Sequence, residues 1–413
     1  MDKKIPDTEL FTKLIRKYGT PLQIYDGTAM IDNYTNFIYT FKKYFPTFEH
    51  HFAVKALPNP HILQILVDQG CGLDCSSMSE LLLADMMQNL QPNKVIFTSN
   101  FTATNELKYA FDKGYTINLD CDSLLDVLIG NNILPKKLYL RFNPSIGKTD
   151  SGTDSNILGG EHSKFGISND KIIDCYVKAK KHGVETFGLH IMTGSCVLDE
   201  DYWSCLCDVV FHLIAELLKH EINISEINLG GGIGIPYKPH QERINIRKIA
   251  FNIHKEFEKN CKLLGIDKPK LSMENGRYIT GPYGYLCSKI NVIKKQNGKI
   301  FYGMDSCMSN LMRPGMYKSY HYISKLHHED DEHEIVNIVG TLCENNDWFA
   351  KDRLIQKCSV GDYLVIHDTG AHAHSMGFQY NGKLRAPEVL LTPAGYLLIR
   401  RRETFKDYIA TII

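Results

Sequence analysis

The short, largely apolar run His50-His51-Phe52-Ala53-Val54-Lys55-Ala56 reads as a buried strand that carries a lysine at its end. A buried ammonium is costly unless it is paired or neutralised. Lysine answers burial with a lowered pKa, which frees an amine able to form a Schiff base with an aldehyde. The alternative is an edge-strand lysine whose head reaches into water, as most lysines do, so Lys55 gains meaning only from the residues that gather around it.

The elements that would gather them are legible as periodicity. Short β-rich runs near residues 50–55, 71–75, 94–98, 115–119, 137–142, 186–191, 225–229 and 270–274 alternate with helix-period stretches such as 61–69, 80–88, 171–182 and 202–220. Eight such runs close a (β/α)8 barrel of the TIM type, whose reactive groups collect at the C-terminal strand ends. The unusual polar residues fall there: Lys55, Asp74, Ser99-Asn100, Arg141, His190, Gly230-Gly231-Gly232 and Glu274.

Gly230-Gly231-Gly232-Ile233-Gly234, between a strand and a helix, leaves backbone N–H groups bare to converge on an anion, and the loop after strand seven is a frequent phosphate site. Glu274 needs a cation or a protonated nitrogen to justify burial, and Arg277 suits a phosphate or carboxylate. A plain Glu274–Arg277 ion pair is the competing explanation.

The barrel is expected over 26–282. A Gly/Ser/Asp-rich insertion over 144–166 reads as a long mobile loop. Beyond Gly281-Pro282 strand-like segments follow, including 287–294, 335–339, 363–367 and 388–391, so 283–413 is expected to form a β-sandwich or β-barrel domain. Residues 1–25, with the strand Leu22-Gln23-Ile24-Tyr25, are assigned to it, since that strand has no partner in the barrel.

At 413 residues with 43% hydrophobic content, the chain has enough apolar surface for two cores. Lys+Arg and Asp+Glu both number 47, which argues against nucleic acid or an anionic membrane as partner. The N-terminal residues lack a signal-peptide core, and a cytoplasmic enzyme of small molecules is expected. The 12 cysteines hold no CxxC pair, so no metal site is expected.

The motifs Ala53-Val54-Lys55-Ala56, Gly230-Gly231-Gly232, Glu274-Asn275-Gly276-Arg277, Met312-Arg313-Pro314-Gly315-Met316-Tyr317, Cys343-Glu344-Asn345-Asn346-Asp347, Asp368-Thr369-Gly370-Ala371-His372 and Tyr380-Asn381-Gly382 closely resemble those of the fold-type III pyridoxal-phosphate-dependent decarboxylases. That family includes ornithine and arginine decarboxylases and is related to alanine racemase. The resemblance spans nearly the whole chain and implies a homodimer with shared active sites. Lys55 would carry pyridoxal 5'-phosphate, and Glu274 would keep its ring nitrogen protonated. Asp74, Arg141, His190, Ser195, Gly230, Gly231, Gly232, Gly276, Arg277 and His372 would complete the cofactor site. Cys343, from the other subunit, would donate the proton that replaces the carboxylate.

Within the family the likeness is to enzymes that convert meso-2,6-diaminopimelate to L-lysine and CO2, the last step of lysine biosynthesis. Arg313 and Tyr317 would hold the distal carboxylate and Glu344 the distal ammonium, with Arg277, His372 and Tyr380 also on the substrate. Ornithine, arginine or carboxynorspermidine is the alternative substrate, and a non-catalytic cofactor-binding protein the third reading. Three positions depart from the family pattern. Asn275 replaces a proline, which should alter loop stiffness more than chemistry. His372 replaces a tyrosine and should vary in charge near neutral pH. Met192 stands where a ring-stacking histidine is usual; strand alternation puts it on one face with His190, and either could serve.

Overall fold

The computed structural model describes residues 3–150, 157–160, 162–327 and 332–413. After a helix at Thr8–Tyr18 and strand β1 (Leu22–Asp26), nine parallel strands follow: β2 (Glu49–Ala53), β3 (Gly72–Cys75), β4 (Val95–Ser99), β5 (Thr116–Leu119), β6 (Lys137–Asn143), β7 (Ile167–Ser168), β8 (Thr186–Ile191), β9 (Ile224–Asn228) and β10 (Lys270–Met273). Eight of them pair in the order β2-β3-β4-β5-β6-β8-β9-β10, and β10 returns to β2 to close the barrel. Two-residue β7 only extends the edge of β6. The strand interiors are buried, as expected where side chains pack both inside the barrel and under the surrounding helices.

The helix ring is completed from an unexpected place. Only a single turn, Arg277–Thr280, follows β10, and the helix Gly27–Lys42 that precedes β2 packs beside Ile246–Leu264 in the position of an eighth helix. Asp26 caps it by accepting from Ala29 N–H at 3.0 Å, and Phe37 meets Tyr278 with ring centroids 5.7 Å apart.

The remaining strands are β11 (Gly284–Gln296), β12 (Lys299–Met304), β13 (Ile323–Lys325), β14 (His333–Val339), β15 (Trp348–Gln356), β16 (Tyr363–Ile366), β17 (Glu388–Thr392) and β18 (Gly395–Arg400). They form a mixed sheet in the order β15-β14-β12-β11-β1-β17-β18, with β16 on β11 and β13 on β16. Strand β1 lies at its centre, antiparallel to β11 and parallel to β17. Leu22 and Ile24 share a core with Phe11, Leu14 and Val389, whereas Ile290, Tyr302, Ile338 and Leu364 form a second one.

Of the insertion over 144–166, residues 151–156 and 161 lie outside the described residues, and the mobility expected of that loop falls partly on them. Its described part is tethered: Lys148 bridges to Gly194 and its Nζ lies 2.7 Å from Asp199. Among the described residues no helix is long and apolar enough to cross a membrane, and no cluster of three metal-ligating side chains occurs.

Candidate active site

A cavity of about 230 Å³ lies at the C-terminal strand ends, where loops of the barrel meet loops of the β domain. Lys55, Ser195, Gly232, Glu274, Gly276, Arg277, Arg313, Tyr317 and His372 line it, together with Met192, Cys196 and Met376. A larger cleft of about 570 Å³ beside Tyr320–Leu326 holds none of the expected residues, and size alone does not make it the site.

Lys55 does not end β2. It sits in the 3₁₀ turn Val54–Ala56 just beyond it, which turns the side chain into the cavity. The chain is about half accessible to water through the cavity mouth, and Nζ lies 2.9 Å from Asp74 Oδ2. The expectation of a lowered lysine pKa is therefore corrected. Burial acts to lower it, but the charges of Asp74 and Glu274 prevail and hold it above the ordinary value.

The two carboxylates facing Lys55 are driven apart. Burial and the nearby Glu274 push Asp74 up to about 7 in spite of Lys55. Burial also opposes ionisation of Glu274, but His190 and then Lys55 outweigh it and bring Glu274 down to about 2. The two carboxyls thus differ in direction, Asp74 pushed up and Glu274 held down.

Glu274 is held from both sides: His190 Nε2 is 3.0 Å from Oε2, and Asn228 Nδ2 donates to Oε1 at 2.7 Å. Asn228 Oδ1 in turn accepts from Gly230 N–H at 2.9 Å, which ties the carboxylate to the glycine loop. The simple Glu274–Arg277 ion pair is not formed. His190 stands behind Glu274 rather than on the cavity wall, and Met192, one residue past the end of β8, is the one that lines it. Strand alternation does not carry to Met192 because the strand has ended. Arg141 also stands back, paired with Asp120 at 2.8 Å and covered by the Phe165 ring.

The glycine loop is glycine for want of space. A Cβ on Gly230 would meet Ile191 O at 2.5 Å, on Gly231 Glu274 O at 2.5 Å, and on Gly232 Gly194 O at 2.5 Å. Gly230 and Gly232 also take φ of +64° and +95°. Asn275 does more than soften its loop. Its N–H donates to His50 Nε2 at 3.0 Å, which a proline could not do, and its Oδ1 accepts from Ile233 N–H at 3.1 Å.

Two arginines share one tyrosine. Arg277 Nη1 donates to the Tyr237 hydroxyl at 2.7 Å and its Nη2 reaches Ser195 Oγ at 3.5 Å, while the Arg313 guanidinium lies 4.4 Å over the Tyr237 ring. His372, expected to vary in charge near neutral pH, does not. Burial first, then Arg277, Arg313 and Lys55, hold its pKa well below the ordinary value, so it stays neutral.

Cys343, Glu344 and Tyr380 are absent from this cavity wall and lie exposed at the surface of the β domain. They form a patch of their own: Cys343 N–H donates to Asn381 Oδ1 at 2.7 Å, and the Tyr380 hydroxyl to Cys343 O at 3.4 Å. Asp347, at the end of the same motif, is a buried staple that accepts from Met308 and Leu342 N–H at 2.6 and 2.8 Å.

A family model for the pyridoxal-binding domain of pyridoxal-dependent decarboxylases matches residues 34–281, the barrel that carries this cavity. The chain belongs to that family. Among curated relatives of this decarboxylase, protein TabA of Pseudomonas amygdali pv. tabaci is 36% identical over 98% of this chain and 93% of its own. The diaminopimelate decarboxylase of Methanothermobacter thermautotrophicus is 34% identical, covering 96% of this chain and 92% of its own. The crystal structure of diaminopimelate decarboxylase from M. jannaschii in complex with L-lysine superposes with a TM-score of 0.88 at 31% identity, covering 97% and 94% of the two chains.

The residues present fit the cofactor of such a decarboxylase. The cavity offers an amine on Lys55, an ionised carboxylate on Glu274, and the Ser195 hydroxyl beside the loop backbone of Gly232 and Gly276. Asp74 Oδ1 is buried without a hydrogen-bond partner next to it. Pyridoxal phosphate, when bound, supplies an electron sink for the pair left when a carboxylate departs. Asn228, Asp120, Tyr237 and His321 escaped the sequence reading. Of these only Tyr237 carries a signal, three residues past the glycine loop.

Proposed function

We propose that the chain decarboxylates meso-2,6-diaminopimelate to L-lysine and CO2. The observation that carries this reading is that Arg277, Arg313 and Tyr317 line the same cavity as Lys55. Two cationic donors and a hydroxyl in one cavity with the reacting amine suit a substrate with a second carboxylate at its far end. A substrate ending in a lone cation, such as ornithine, would meet the arginines unfavourably. The relatives named as diaminopimelate decarboxylases, and the lysine-bound M. jannaschii structure, support the same choice.

In this reading Lys55 would hold the cofactor by its aldehyde and Glu274 would keep the ring nitrogen protonated, while His190 and Asn228 keep Glu274 charged and aimed. Ser195, Gly230, Gly231, Gly232, Gly276 and Arg277 would hold the phosphate, with His372 on the cavity wall, Asp74 beside Lys55 and Arg141 behind, paired with Asp120. Arg277, Arg313 and Tyr317 fix the distal carboxylate, so the α-carboxylate is the one left to depart.

The proton that replaces it comes from the partner subunit's Cys343, in a cytoplasmic homodimer. The exposed Cys343–Tyr380 patch, with Glu344 beside it, supports this, because it lies outside the cavity of its own chain. Purified protein supplied with pyridoxal phosphate and meso-diaminopimelate should release lysine and CO2 in equal amounts. Absence of lysine, with cofactor shown to be bound, would refute the reading.

A further inference from the structure

Arg313 is 2% exposed, and a buried histidine ring outside the cavity lies against it. His321 Nε2 lies 2.7 Å from Arg313 Nη1, and His321 Nδ1 lies 2.8 Å from the carbonyl oxygen of His367. An arginine nitrogen can only donate and a carbonyl oxygen can only accept. The two contacts together therefore require the proton on Nδ1 and a bare Nε2. The same imidazole meets the Tyr237 ring edge-on, centroids 4.9 Å apart, and Tyr237 is the floor under the Arg313 guanidinium. His321 is completely buried.

We propose that His321 is a positioning residue for Arg313, a neutral imidazole locked in one tautomer that accepts a guanidinium N–H and sets the direction in which the arginine meets the substrate. A carboxylate in its place would hold Arg313 as firmly but would compete with the substrate's own carboxylate for the charge; an imidazole acceptor does not. A protonated His321 would have to break the Arg313 contact. Burial, Arg313, Lys3 and Arg277 oppose protonation against the favourable His367 carbonyl, and they hold its pKa well below the ordinary value. Arg353, which donates to the His321 backbone oxygen at 2.9 Å, adds a further positive charge on the same side.

This role deepens the reading of Arg313 as the clamp for a distal carboxylate and rests on it for its effect on substrate. In holoenzyme, His321→Leu should raise KM for meso-diaminopimelate about tenfold or more while kcat changes less than about threefold. His321→Gln, whose Oε1 can accept from Arg313, should recover most of the loss. In an Arg313→Ala background His321→Leu should add nothing. Independently of any substrate, ¹⁵N-histidine spectra should show His321, assigned by its loss in His321→Gln, with a protonated Nδ1 and bare Nε2 that stay unchanged from pH 5.5 to 8. Arg313→Ala should shift the Nε2 signal. A His321 that titrates in that range, the opposite tautomer, or full additivity with Arg313→Ala would overturn the positioning role. Spectra as expected with no selectivity lost in Arg313→Ala would instead overturn the clamp.

Discussion

His190 Nε2 lies 3.0 Å from Glu274 Oε2, with the histidine 1% and the glutamate 7% exposed. The partner of the cavity's deepest anion is thus an imidazole, while Arg277, three residues from Glu274, is turned away toward Tyr237. Such an arrangement keeps a carboxylate charged without an arginine beside it, and both arginines line the cavity wall instead.

Glu274→Gln should lower kcat by more than about a hundredfold while the protein still binds cofactor, because the amide keeps the shape and loses the charge. Asn228→Ala should fall between wild type and Glu274→Gln, since His190 remains in place. Cofactor absorbance titrations alongside steady-state rates check both.

The histidines set the acid side of stability. His50 and His367 are held down to about 3, His51 and His374 to about 4, and His321 and His372 well below the ordinary 6.5, burial being the first cause in each. Their folded pKa values lie below the unfolded value, so the unfolded chain binds more protons once the pH drops under 6.5. Stability is then lost as the pH falls, at about 1.4 kcal/mol per pH unit for each histidine. Calorimetry should give a midpoint that changes little from pH 8 to 7 and falls steeply from 6.5 to 5; a flat midpoint over that second range would contradict these burials.

Because His372 stays neutral, His372→Tyr should leave the acid limb of the kcat/KM profile where it is in wild type. A shift of that limb by half a pH unit or more would show that His372 titrates during turnover.

The barrel was legible because each of its strands is a short apolar run between helix-period stretches, and the centre of the β domain because Leu22–Tyr25 had no place in the barrel. What stayed hidden depends on contacts between distant residues. Lys55 reads as a strand end, yet the chain tightens into a 3₁₀ turn there. Gly27–Lys42 precedes the first barrel strand in the chain, yet fills the eighth helical position. Asn228 and His321 show no motif, since their roles exist only through Glu274 and Arg313, which lie 46 and 8 residues away in sequence.

Lys55→Ala and Cys343→Ala proteins should each be nearly inactive. Mixed in equal amounts with free exchange of subunits, they should recover about a quarter of wild-type activity, since half of the dimers are hybrids with one intact site of two. No recovery, with hybrids demonstrated, would place the proton donor in its own chain or elsewhere.

The most direct measurement compares kcat/KM for meso-diaminopimelate with that for ornithine and for arginine, in wild type and in Arg313→Ala. A guanidinium buried without its anion penalises substrates that lack a distal carboxylate, so wild type should favour meso-diaminopimelate by more than about a thousandfold, ~4 kcal/mol at the transition state. Arg313→Ala should lose most of that preference and keep its cofactor. A wild type that prefers ornithine or arginine, or an Arg313→Ala protein with its selectivity intact, would contradict the assignment of this cavity to a substrate with two carboxylates.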